Sequence, residues 1–134
     1  MALRIVRLGT PRAADEGLRI GTVRRPPRGV PKEEFARQDW YDVWFPNLAP
    51  SIETMKLGQA AQSAAAPAAA WTTFARRYKA EMATPEARHD IALLAALSRR
   101  TQLSVGCYCE DENRCHRSLL RQLLAEAGAQ WHAG

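Results

Sequence analysis

Leu103-Ser-Val-Gly-Cys-Tyr-Cys109, Glu110-Asp-Glu-Asn113 and Arg114-Cys-His-Arg-Ser-Leu-Leu-Arg121 follow one another near the end of the chain. The first stretch is apolar and short, the pattern of a buried strand. The second is acidic and polar, a turn. The third opens a helix with Asn113 as its N-cap, running from Arg114 to about Ala127, where Gly128 supplies a left-handed stop. Strand, turn and helix in succession are the building unit of a layered α/β domain.

Residues of a helix advance by about 100° each, so Leu119, Leu120, Leu123, Leu124 and Ala127 cover one arc that faces the sheet. His116 falls near the middle of that arc and points inward. Arg114, Arg117 and Arg121 line one edge of it. In the strand, Val105, Cys107 and Cys109 share one face while Ser104, Gly106 and Tyr108 share the other.

Upstream, Leu3 to Leu8 and Leu18 to Val23 read as strands, and Asp42 to Phe45 as a third, short one. Between them, Arg24-Arg-Pro-Pro-Arg-Gly-Val-Pro31 is a stiff extended loop, because its prolines exclude helix. Ser51 caps a helix through about Gly58. The alanine-rich stretch 60–70, interrupted by Pro67, reads as a loop. Trp71, Phe74, Ala75, Tyr78 and Met82 fall on one helical face, and Thr84-Pro85 opens a further helix through about Arg99. The expectation is a single α/β domain over 1–134, a small mostly parallel sheet flanked by helices, with 129–134 as a flexible tail. Ligands of such sheets bind at the carboxyl ends of strands, where Cys109 lies.

At 134 residues and 46% hydrophobic, the chain fits one core, and no apolar run reaches the roughly 20 residues that cross a bilayer. No secretory leader is legible, and the three cysteines crowd into 107–115 rather than framing a disulfide scaffold. A cytoplasmic protein without membrane contact is expected. The net charge of +5 is concentrated at one end: residues 1–37 hold nine Arg or Lys against four Asp or Glu. Such a patch attracts phosphates, although an arginine-rich composition raises the isoelectric point without any ligand.

Four readings compete for the corner. A phosphate site would use the helix N-terminus with Arg114 and Arg117, and Arg24 and Arg28 of the proline loop as a second wall. A thiol-dependent enzyme would use Cys109 or Cys115 as nucleophile and His116 as acid or base. A zinc site would use Cys107, Cys109, Cys115 and His116. The plainest reading makes the cysteines core residues and the arginines partners of Glu110, Asp111 and Glu112. A phosphatase loop needs five residues between Cys and Arg, whereas Cys107 to Arg114 has six, Cys109 to Arg114 four and Cys109 to Arg117 seven. Neighbouring side chains on one strand face stand about 6–7 Å apart, too wide for one ion, so no metal or other cofactor is expected.

Pro27-Arg-Gly-Val-Pro-Lys-Glu33, Leu48-Ala-Pro-Ser51, Trp71 with Phe74, Arg77, Tyr78 and Glu81, and above all Cys107-Tyr-Cys-Glu-Asp-Glu-Asn-Arg-Cys-His-Arg-Ser118 resemble the DUF488 family. The resemblance spans most of the chain. It implies a single α/β domain with its site at the Cys–His–Arg corner, and it implies no substrate. Where YeaO-like members of that family carry Asp-Arg-Leu-Trp-Pro-Arg-Gly, this chain reads Val23-Arg-Arg-Pro-Pro-Arg-Gly29, without the acid or the tryptophan and with an added Arg25.

The expectation is therefore a phosphate-bearing ligand, nucleotide or nucleic acid, held by Arg114, Arg117, Arg24 and Arg28. Cys109 and His116 stand beside it as candidate catalytic groups. The alternatives are a non-catalytic interaction module docking an acidic partner on its basic end, and a Cys/His thiol enzyme.

Overall fold

A computed structural model describes residues 2–63, 65–109 and 115–132. Strands β1 (Leu3–Arg7), β2 (Leu18–Gly21), β3 (Val43–Trp44) and β4 (Leu103–Cys107) form one sheet in the order β1-β4-β2-β3, and every neighbouring pair is parallel. The last strand in sequence is thus interior, with Leu3, Leu18 and Leu103 in register. The helices are α1 (Ile52–Ala61), α2 (Ala68–Met82), α3 (Pro85–Leu97) and α4 (His116–Glu126), and short 3-10 turns lie at Lys32–Glu34 and Pro46–Leu48.

The two faces of the sheet differ in chemistry. Leu3, Ile20, Leu103 and Val105 point into the main core, where they meet Phe74, Tyr78 and Met82 of α2, Ile91 and Leu94 of α3, and Leu119, Leu120 and Leu124 of α4. On the opposite face the register aligns Arg4, Ser104 and Arg19. Arg19 is wholly buried there. Its Nε and Nη2 donate to the Glu16 carboxylate at 2.7 and 2.9 Å, and its Nη1 donates to the carbonyls of Thr10 and Asp39. Ser104 Oγ donates to the same carboxylate at 2.7 Å. Residues 8–17 cross from β1 to β2 without a helix, and this ion pair pins that crossing to the sheet.

Several boundaries differ from expectation for local reasons. Alanine is the strongest helix former, so Ala68–Ala70 join α2 directly after Pro67 instead of remaining loop. Strand β4 ends at Cys107, leaving Tyr108 and Cys109 beyond the ladder. Helix α4 begins at His116 with Cys115 at the N-cap position, not at Arg114. Asn113, Arg114 and the acidic residues before them lie outside the described residues. Helix α3 stops at Leu97, and Arg99 instead donates to the carbonyl of Gly128, whose φ of +93° ends α4 as anticipated. Within the expected tail, residues 130–132 are tied to the fold: Leu3 N donates to Gln130 O, His132 N donates to Leu3 O, and Arg121 stacks over Trp131 at 5.0 Å.

Helices α1 and α2 approach closely because Gly58 presents no side chain; a Cβ there would stand 2.7 Å from the Phe74 ring. Glu81, which the helical pattern places off the apolar face of α2, reaches across to the start of α1. Its carboxylate accepts from Ser51 N, Ser51 Oγ and Thr54 Oγ1 at 2.8, 2.7 and 2.6 Å. Burial pushes its pKa up, but these bonds outweigh burial and hold the carboxyl below its ordinary value. Glu81→Ala is expected to cost about 1–2 kcal/mol, read as a lower urea midpoint at unchanged slope. No helix among the described residues is long and apolar enough to cross a membrane.

Candidate functional site

The carboxyl end of β4 is covered by a second, smaller apolar cluster of Leu8, Val23, Tyr41, Cys107 and Cys115, with Trp40, Tyr108 and Cys109 against it. All three thiols converge there. Cys107 and Cys115 are buried and Cys109 is half-buried. Their Sγ atoms lie within 4.8 Å of one another, and those of Cys107 and Cys115 are 2.6 Å apart. This corrects the separation expected from strand spacing: Cys109 has left the ladder and Cys115 arrives from α4, so the side chains no longer stand perpendicular to one sheet.

Within the cluster the three sulfurs differ in acidity. Cys109 accepts from the thiols of Cys107 and Cys115, which lowers its pKa well below that of an ordinary thiol; burial opposes this, and the Gln62 amide at 3.2 Å assists. Burial, then donation to its neighbours, pushes Cys107 far up. The bond with Cys107 pulls Cys115 down, but donation to Cys109 and burial prevail and raise it to about 12.

His116 points inward, as its helical phase requires. Its Nε2 lies 2.7 Å from the Thr22 carbonyl, an acceptor only, so Nε2 carries the hydrogen and Nδ1 presents its lone pair toward Cys115 Sγ at 3.7 Å. Burial lowers its pKa to about 4, and the ring is neutral at physiological pH. Tyr78 packs on the ring with centroids 5.5 Å apart. A neutral, carbonyl-bound imidazole facing Cys115 is poorly placed to exchange protons with solvent.

Arg117, in the first turn of α4, is 4% exposed. Its Nη2 donates to the Cys109 carbonyl at 2.5 Å, while its Nε has no partner among the described residues. The fold therefore brings together Cys107, Cys109, Cys115, His116 and Arg117. Arg114 lies outside the described residues. Arg24 is engaged elsewhere: its Nε and Nη2 donate to the carbonyls of Pro50, Pro46 and Ala49. These carbonyls sit in a proline-broken segment, where few backbone donors exist to serve them. Arg28 is exposed on the proline loop, which Tyr108 holds near the site by donating to the Arg25 carbonyl at 2.9 Å. Among the described residues, four of the nine cations of residues 1–37 are ion-paired within the fold, as Arg4–Asp15, Arg12–Asp42, Arg19–Glu16 and Arg37–Glu34.

Sequence reasoning missed Arg19, Glu16, Gln62 and the docking role of Glu81. Only Arg19, an arginine on an otherwise apolar strand, carried a local signal.

A one-domain parallel α/β protein with a Cys–His–Arg corner at the carboxyl end of its interior strand is the class that fold and site define. The chain belongs to the DUF488 family: residues 3–128 match the family model described as the active DUF488-N3 subclade. No curated protein and no solved structure matches it.

Proposed function

We propose that the protein binds a phosphate-bearing ligand, a nucleotide or nucleic acid, at the N-terminal end of α4. Arg117 carries this reading. Its Nε–H has no partner among the described residues, and a buried guanidinium N–H left unserved costs about 1–3 kcal/mol, which a phosphate oxygen would recover. The positive end of the α4 dipole faces the same place, although the Arg117 amide is turned to the Cys115 sulfur and the Ser118 amide to the Cys115 carbonyl. Arg114, next to Cys115 in sequence, and Arg28 supply further cations in this reading; Arg24 does not.

The test is equilibrium binding of a labelled single-stranded RNA and of a labelled nucleotide across a salt series. Affinity should fall log-linearly with salt for the nucleic acid. Arg117→Met should weaken binding roughly tenfold or more while its circular dichroism matches the wild type. Arg117→Met binding at wild-type strength would sink the reading, and binding confined to an acidic protein would favour the interaction module.

A second reading makes Cys109 a nucleophile toward the bound ligand. Its favouring observation is position: Cys109 is half-buried at the strand end and contacts Gln62, whereas its sister thiols are buried. Alkylation mapped by mass spectrometry should then modify Cys109 first, and a bound nucleotide should slow it. Three free thiols suit a reducing compartment such as the cytoplasm.

A further inference from the structure

Anion binding leaves two buried thiols and a buried imidazole unexplained. We propose that Cys107, Cys109, Cys115 and His116 bind one thiophilic divalent ion, zinc above all, in a closed tetrahedral site that ties β4 to α4. This goes beyond the phosphate reading and does not rest on it.

Three observations lead there. First, Zn–S bonds of about 2.3 Å and Zn–N bonds of about 2.0–2.1 Å give tetrahedral edges of about 3.6–3.8 Å. The sulfur separations, 2.6 Å for Cys107–Cys115 and at most 4.8 Å elsewhere, bracket that edge; His116 joins the three sulfurs through Cys115, with Nδ1 3.7 Å from its Sγ, and would have to turn toward Cys107 and Cys109 to complete the tetrahedron. Binding would require the cysteine side chains and the imidazole to rotate until the four donor atoms lie on one sphere. Second, the histidine is already arranged as a ligand. A metal-bound imidazole donates its other N–H to a carbonyl or carboxylate, and Nε2 of His116 does so to Thr22 O at 2.7 Å. Third, the charge is served. Zinc with three thiolates and a neutral imidazole carries a net charge of about −1, and the buried Arg117 lies alongside with its Nη2 on the Cys109 carbonyl.

On binding, the cysteines that are still protonated release their protons to solvent, and no oxidant or reductant is required. Soft sulfur donors select zinc over magnesium or calcium. A closed site also takes the Cys109 lone pair, so metal binding and the nucleophile reading exclude each other.

The test is titration of the reduced, full-length, metal-stripped protein with Co²⁺, followed by displacement with Zn²⁺. The expected result is one cobalt per chain, the intense visible bands of a tetrahedral ion and a sulfur-to-cobalt charge-transfer band, all erased by zinc. Cys109→Ser should lose part of the charge-transfer intensity, and His116→Ala should shift the visible bands while retaining it. Because these variants could fail to fold, a second readout uses the wild type alone: zinc should protect all three thiols from alkylation in the native state. The proposal is overturned by a weak octahedral cobalt spectrum, by cobalt bands unchanged in a folded Cys109→Ser protein, by unprotected thiols, or by a Cys107–Cys115 disulfide in protein kept under reductant.

Discussion

Glu16→Ala is expected to destabilise the protein by about 3–5 kcal/mol, measured as the loss of unfolding free energy in urea. The substitution leaves the Arg19 guanidinium wholly buried beside the two carbonyls it serves, with no counter-charge and with Ser104 Oγ unpaired. Removing both charges, as Glu16→Leu with Arg19→Met, should cost less than the sum of the single changes, because no naked charge remains. It should still cost something, since Thr10 and Asp39 lose their donor. The pair also sets a pH dependence. Burial raises the Glu16 pKa, but the bonds from Arg19 and Ser104 outweigh it and hold the carboxyl below its ordinary value of 4.5. A carboxyl whose folded pKa is depressed stabilises above its unfolded value and loses that contribution as pH falls through the folded one. Stability should therefore decline below about pH 4.5, and Glu16→Ala should flatten the decline. Glu81, also depressed, leaves a residual slope. Full pH sensitivity in Glu16→Ala would place the titrating group elsewhere.

The second large effect is at Tyr78. Tyr78→Ala should cost about 3–5 kcal/mol, since it opens a cavity in the core between α2 and α4. The ring is fully buried, stacks on Phe74 at 6.2 Å, and leans on His116. Tyr78→Phe separates the parts: it keeps the ring and deletes only the hydroxyl that donates to Leu48 O at 2.7 Å, for about 1–3 kcal/mol. Because the ring backs the imidazole, Tyr78→Ala should also loosen His116, seen as broadened His116 resonances, while Tyr78→Phe should leave them sharp. Equal effects from both variants would mean that the hydroxyl, not the ring, holds this part of the core.

What was legible in the sequence follows from periodicity. The arc Leu119, Leu120, Leu124 fixed the inward His116, and Thr84-Pro85, Ser51 and Gly128 marked helix ends by their own backbone preferences. What was not legible depends on register and on distant partners. Arg19 reads as a solvent-facing strand residue until pairing places it against Ser104 and the loop carrying Glu16. Arg24 looked free because its carbonyl partners lie more than twenty residues away, at Pro46 to Pro50. The thiols looked too far apart because the apolar alternation continues through Cys109, whereas a strand's end depends on its neighbours: β1 and β2 both stop pairing at or before Cys107.

The interior place of β4 has a consequence for how the chain acquires its structure. Until residue 103 has been synthesised, β1 and β2 have no strand between them, and closing Leu3 onto Leu103 is a loop of about a hundred residues that must be ordered in one cooperative step. The N-terminal portion should accordingly stay unfolded on the ribosome. Strand β4 and helix α4 emerge together, so the event that completes the sheet also gathers the three sulfurs. A nascent chain has no stage at which the scaffold stands without its reactive corner, and a truncation before α4 should yield no folded intermediate at all.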